Sequence, residues 1–156
     1  MMMLRRTAEL AMLASLAACG TASDAVTFHA PPGYTQTASV GPFVQVWKTT
    51  DNANILTLLA LPAKIDLDKA LSQSDIHDAE VKAKKNITIC GGQEAIYADI
   101  VGTMHRGGED APAEKGHIEF LATNVGGKTY MAVYVRPLSA PVDPVADAAI
   151  HAICPK

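Results

Sequence analysis

Two long stretches of alternating apolar and polar residues, each centred on a pair of glycines, constrain this chain more than any other feature. Residues 81–104 are centred on Gly91-Gly92, and residues 117–136 on Gly126-Gly127. A period of two is typical of a half-buried strand, and paired glycines supply the positive φ angles that tight hairpins need. The sequence therefore predicts two long antiparallel hairpins.

Shorter runs before these hairpins predict further strands. Residues 26–30 indicate a short strand that ends before Pro31-Pro32. Residues 43–48 and 55–61 are rich in leucine and β-branched side chains, and residues 51–54 (Asp-Asn-Ala-Asn) separate them. Asn and Asp favour turns because their side chains bond nearby backbone groups, so we expect another hairpin here.

Two helices are predicted, one inserted among the strands and one terminal. Asp66 can cap a helix over residues 66–77, and Asp143 followed by Pro144 predicts a second helix with an apolar stripe up to Ile153. Hairpin-connected strands with an inserted and a terminal helix predict an α+β fold, an antiparallel sheet of about six strands with helices packed on it. The single domain spans residues 26–156.

The opening of this domain, Val26-Thr27-Phe28-His29-Ala30-Pro31-Pro32-Gly33-Tyr34, resembles the opening motif of PsbP-like, or Mog-like, domains. The resemblance implies a sandwich of about six antiparallel strands with helices on both faces. It also implies a role in binding or assembly, because that family mostly serves such roles and has no shared catalytic residues to carry over.

The first 19 residues are typical of an exported chain. Arg5 and Arg6 precede an uncharged apolar run over residues 10–18, which is too short for the roughly 20 residues of a membrane-spanning helix. The run ends in Leu-Ala-Ala-Cys at residues 16–19, which resembles the bacterial lipobox. The resemblance implies a signal peptide over residues 1–18 and diacylglycerol on the Cys19 thiol. The alternative is a secreted protein with an incidental cysteine.

A lipid on Cys19 would determine where the protein acts. Residues 19–25 form a tether of at most roughly 25 Å when fully extended. We expect a lipid-anchored protein of the cell envelope, on the outer membrane and facing the periplasm if the source has two membranes. The formal net charge is −3 and no basic stripe is present, which argues against a nucleic-acid partner.

Two cysteines, Cys90 and Cys154, remain after the lipobox. In an oxidising envelope, an even pair in a small domain favours a disulfide. The alternative is two buried free thiols.

No catalytic motif stands out. The serines lack the context of an activated nucleophile, and the glycine pairs lack the spacing of a phosphate loop. Asp99 is the one acid on a strongly apolar strand, and alternation predicts that it lies on the solvent face. We expect no cofactor and no enzyme activity. The leading hypothesis is a module that binds an envelope protein or assists an assembly; a small-molecule or metal-binding lipoprotein is the alternative, and an enzyme a more distant one.

Three residues are possible binding residues. If the strands around the loop 104–116 pair symmetrically about Ala111, His105 and His117 stand opposite each other with Cβ atoms roughly 4.5–5.5 Å apart. With Glu109 or Glu114 they could hold zinc or copper; alternatively the loop contacts a partner and binds no metal. Trp47 either lines the floor of a ligand groove or packs under the helix at 66–77.

Overall fold

The computed structural model describes residues 25–41, 43–70, 72, 77–105, 110 and 112–156. Within these residues it contains strands and helices in an order close to the predicted one. In chain order they are β1 Val26–Thr27, β2 Thr35–Val40, β3 Val44–Lys48, β4 Ile55–Leu61, α1 Leu67–Ala70, β5 His77–Ile89, β6 Gln93–His105, β7 Ala113–Val125, β8 Lys128–Pro137, α2 Pro144–His151 and β9 Cys154–Pro155.

Seven of the strands form one antiparallel sheet in the order β2-β3-β4-β8-β7-β6-β5. All three predicted hairpins are confirmed. Gly126 and Gly127 have φ angles of 58° and 78°, and Val125 pairs with Lys128 across them. Two successive positive φ angles match the right-handed twist of the flanking strands, which is why glycine is favoured at both positions.

The predicted first strand does not belong to this sheet. β1 instead pairs with β9 in a separate two-stranded sheet, and Lys156 N donates to Ala25 O at 3.0 Å. The edge position is taken by β2, which the sequence did not predict. The main sheet therefore has seven strands rather than about six.

Apolar side chains cover both faces of the sheet. One core lies between the sheet and α2, and the β1 segment contributes to it; its largest members are Phe28, Trp47, Tyr130, Tyr134 and Ile150. The core on the opposite face contains Ile100, Ile118 and Phe120, with Ile65 and Leu67 packed against it. Because each central strand is buried on both faces, its residues lose the strict alternation of a half-exposed strand.

The two helices begin where their caps predict. The Asp66 carboxylate accepts a hydrogen bond from Asp68 N at 3.0 Å, and α1 follows over Leu67–Ala70. Leu71 and Ser74 of the predicted helix lie outside the described residues. Asp143 accepts from Val145 N at 3.1 Å and starts α2. Neither helix of the described chain is long and apolar enough to cross a membrane.

The antiparallel register gives the sheet two distinct ends. We call one the disulfide end; it carries the β2–β3, β5–β6 and β7–β8 turns together with Cys90, Cys154 and Ala25. We call the other the distal end; it carries the β3–β4 turn, the end of β8 and the start of α2. This division determines which candidate surfaces lie near Ala25 and the C-terminal residues.

Candidate functional site

The predicted histidine pair is not formed, because the register differs from the assumed one. His105 pairs with Ala113, and His117 pairs with Val101. The two histidines are thus offset by four positions along paired strands, or roughly 13 Å at about 3.3 Å per residue. No cluster of three metal-ligating side chains occurs in the part of the chain that the structure describes.

The loop between these strands is also shorter than predicted, since β6 continues to His105 and β7 starts at Ala113. Glu114 lies within β7, opposite Met104. Glu109, the other proposed ligand, lies outside the described residues. The metal site proposed from residues 104–117 is therefore wrong in its central assumption.

Trp47 is a core residue and packs on the face opposite to the predicted one. Its side chain is 3% exposed, and its ring centroid lies 4.9 Å from that of Phe28. Both belong to the core under α2, whereas α1 covers the other face. Trp47 therefore neither packs under the inserted helix nor lines an open groove.

Cys90 and Cys154 are bonded to each other, consistent with the predicted disulfide. Cys90 has a positive φ of 51° in the β5–β6 turn, and Cys154 begins β9 shortly after the end of α2. The bond therefore ties the end of α2, and through β9 also β1, to the sheet. Cys19, the predicted lipidation site, lies outside the described residues.

A cluster of ionisable side chains lies between the sheet and α2, and the sequence did not reveal it. Glu119 on β7 is 4% exposed and pairs across the sheet with Asp99 on β6. Arg136 on β8 is 7% exposed, and its Nη2 lies 3.7 Å from Glu119 Oε1. Asp147 of α2 faces Glu119 from above. The predicted solvent position of Asp99 is wrong, because α2 covers this face and Asp99 Oδ1 is buried.

Several polar atoms of this cluster are buried without a hydrogen-bond partner among the described residues: Asp99 Oδ1, His117 Nδ1, Glu119 Oε2 and Arg136 Nε. Burial, the hydrogen bond and charge of Asp147, and the charge of Asp99 together raise the pKa of Glu119 to about 7, although Arg136 opposes the rise. A proton shared between Glu119 and Asp147 would satisfy the otherwise orphaned Oε2. The cluster can thus take up or release a proton near neutral pH while it holds α2 on the sheet.

The two edges of the sheet differ sharply. All six residues of β2 are exposed, and the strand carries no charged side chain. The opposite edge, β5, carries five charged residues (Asp78, Glu80, Lys82, Lys84 and Lys85) and two register irregularities. Charges and irregularities discourage a second chain from pairing with an edge strand. β5 is therefore protected, whereas β2 has only one irregularity, at Thr37.

Most of the large exposed apolar side chains cluster at two places, and Val81 on β5 lies apart from both. Val40 and Phe43 flank the β2–β3 turn at the disulfide end. Leu138 and Val142, on the segment that joins β8 to α2, and Val145, in the first turn of α2, lie at the distal end. The sequence analysis missed β2 because its uniformly exposed residues show no apolar alternation. It missed Glu119 because apolar neighbours on both sides occur in strands buried on both faces and in strands with one exposed face, so they do not show whether the acid is buried.

Comparison with known proteins adds information on the fold. No family model matches the chain, and no curated protein matches it. Among solved structures, the Ran-binding protein Mog1p of Saccharomyces cerevisiae is similar with a TM-score of 0.52 at 11% identity, over 73% of this chain and 72% of Mog1p. The cyanobacterial PsbP of Synechocystis is similar with a TM-score of 0.56 at 14% identity, over 83% of this chain and 85% of that protein.

Identities this low show the fold alone. The chain therefore has the fold of Mog1p and cyanobacterial PsbP, and the PsbP-like/Mog-like α+β fold class predicted from the sequence is confirmed.

Proposed function

We propose that this protein is a lipid-anchored, non-catalytic module of the cell envelope that binds another protein along the free edge of β2. The observation that carries the proposal is the contrast between the two sheet edges. β2 is exposed and uncharged, and β5 is charged and irregular. An extended segment of a partner can add to such an edge, with main-chain hydrogen bonds providing affinity and alternate side chains providing specificity.

Two further observations support this function. The lipobox-like residues 16–19 predict an anchor that would hold the module at a membrane surface. One of the structural neighbours is described as a Ran-binding protein, so a protein partner is in keeping with this fold. The metal-binding alternative loses its support with the register that separates His105 from His117.

Site-specific crosslinking in cells tests the binding edge. A photo-crosslinking amino acid at Ser39, on β2, should yield one defined adduct, whereas the same group at the exposed Thr88 of β5 should yield none. Adding lysines with Thr35→Lys and Ser39→Lys, with the crosslinker moved to Thr37, should abolish the adduct because the edge then carries charge. The matched β5 variant, Ala83→Lys with Thr88→Lys, should leave the β2 adduct intact. Equal adducts from both edges would contradict the proposal.

The anchor is tested by Cys19→Ser. We expect the variant to leave the membrane fraction and to lose incorporation of labelled palmitate, because both depend on the Cys19 thiol. Labelled palmitate that still enters the variant would show that the lipobox interpretation is wrong.

A further inference from the structure

The structure determines which end of the molecule faces the membrane if Cys19 is lipidated. Ala25, the first described residue, lies beside the C-terminus, because Lys156 N donates to Ala25 O at 3.0 Å and Val26 pairs with Pro155. The disulfide then joins Cys154 to the β5–β6 turn. A tether over residues 19–25 reaches at most roughly 25 Å. The disulfide end of the sheet is therefore held close to the bilayer.

The β2–β3 turn lies at the same end of the sheet and exposes two large apolar side chains. Val40 is 65% exposed and Phe43 is 51% exposed. Their backbone is held in place, since Phe43 N donates to Val40 O at 3.1 Å and Ala60 N donates to Phe43 O at 2.8 Å. Val40 and Phe43 thus expose their side chains while backbone hydrogen bonds hold both residues in place.

The hairpin around this turn carries no charge. Residues 35–47, from the start of β2 to Trp47, contain no Asp, Glu, Lys or Arg. Moving a charged group from water into the apolar part of a bilayer is costly, and this hairpin incurs no such cost. Other exposed apolar side chains, such as Val142 and Val145, lie at the distal end, away from Ala25 and the tether.

We propose that Val40 and Phe43, at the tip of the β2–β3 hairpin, insert into the interface of the bilayer that anchors Cys19. The proposal rests on the lipid anchor of the proposed function. A second contact of this kind fixes the orientation of the domain, so that the free edge of β2 rises from the membrane with its Val40 end lowest. A lipid tether alone would leave the domain free to rotate about residues 19–25.

Tryptophan probes test the contact. Phe43→Trp and Val40→Trp each add one fluorophore at the tip, and Val145→Trp adds one at the distal end as the matched control; the native Trp47 is buried and gives a constant background. The lipidated protein, isolated from cells, is reconstituted into vesicles of phosphatidylcholine with brominated acyl chains. Interfacial apolar groups lie about 5–10 Å into the headgroup–acyl boundary, within reach of the bromine atoms. We expect the tip probes to lose at least half of their added fluorescence and the Val145→Trp probe to lose none.

Attaching the protein to the membrane in a second way tests the membrane contact independently of the predicted lipid on Cys19. A C-terminal hexahistidine tag on nickel-chelating lipid holds the same end at the membrane, because Lys156 lies beside Ala25. The tip probes should again be quenched in that arrangement. If mass spectrometry finds no acyl groups on the Cys19 peptide, the lipid anchor is refuted, but the membrane contact of Val40 and Phe43 is not. Tip probes that are quenched no more than Val145→Trp in either attachment would overturn the membrane contact.

Discussion

At the scale of single residues, Glu119 is a carboxyl whose pKa the fold raises to about 7. It is nearly inaccessible and is surrounded by charged or titratable groups from each neighbouring element: Asp99 and Tyr97 on β6, His117 on its own strand, Tyr134 and Arg136 on β8, and Asp147 and His151 on α2. Ionisation of Glu119 is costly chiefly because the carboxyl is buried, and also because three carboxyls share one guanidinium. A proton on one carboxyl relieves this repulsion.

The raised pKa of Glu119 predicts a protein that becomes less stable as pH rises. The folded state binds the Glu119 proton more tightly than the unfolded chain, since the pKa rises from 4.5 to about 7. This contribution is fully present below pH 4.5 and is lost as pH rises through about 7. Its size is on the order of 3–4 kcal/mol, since one pKa unit corresponds to about 1.4 kcal/mol.

Urea denaturation at pH 5 and pH 8 measures this effect. Glu119→Gln, which cannot ionise, should remove most of the difference in unfolding free energy between the two pH values. Glu114→Gln, at an exposed site on the same strand, should retain it. A pH dependence that is identical in both variants would contradict the assignment to Glu119.

At the scale of secondary-structure elements, the start of α2 joins three parts of the molecule. Asp143 accepts hydrogen bonds from Val145 N at 3.1 Å and from the Tyr34 hydroxyl at 2.8 Å. Its own N–H donates to the Tyr134 hydroxyl, which in turn donates to Asn54 Oδ1 at 2.8 Å. The cap of the helix thus also positions the segment before β2 and the β3–β4 turn.

Removing this cap should affect more than the helix. Asp143→Ala should lower the free energy of unfolding by about 1–2 kcal/mol, because both the helix cap and the bond to Tyr34 are lost. Tyr34→Phe should lower it by about 1 kcal/mol. If the two act through the same hydrogen bond, the double variant should lose less than the sum of the single losses. Strictly additive losses, measured by urea denaturation, would show that the bond contributes nothing.

At the scale of the whole molecule, the disulfide and the β1–β9 pair hold β1 and the C-terminal residues on the sheet. Cys90 and Cys154 are separated by 64 residues, and closing a loop of that length lowers the conformational entropy of the unfolded chain. Chain-entropy arguments give about 4 kcal/mol as an upper value for this stabilisation. Because only two residues separate β9 from the end of α2, the same bond restrains the last turn of the helix and β1.

The double variant Cys90→Ser with Cys154→Ser should unfold at a lower urea concentration, with a loss of up to about 4 kcal/mol. Amide hydrogen exchange should accelerate most in β1, β9 and the last turn of α2, and least in the β7–β8 hairpin at the centre of the sheet. A uniform acceleration across the sheet would contradict a local role of the disulfide.

Non-reducing peptide mapping of the parent protein should recover the Cys90–Cys154 link, and two freely alkylated thiols would disprove it.

The local sequence by itself determined the hairpins and the helix starts. Paired glycines, the Asp-Asn-Ala-Asn turn and capping aspartates act over a few residues, so their structural effect is the same whichever elements lie nearby. For this reason the β3–β4, β5–β6 and β7–β8 hairpins and the start of α2 at Asp143 were predicted correctly. The α+β fold class followed from their order along the chain.

Only the tertiary structure decided what depends on register and on the packing of distant elements. A shift in pairing around the β6–β7 turn separated His105 from His117, and nothing in the local sequence specified that shift. Trp47 and Asp99 were assigned to the wrong surroundings because alternation tells which side chains share a face, but not which helix covers that face. β2 was missed because an exposed edge strand is held by backbone hydrogen bonds to its neighbour, which require no apolar pattern in its own residues.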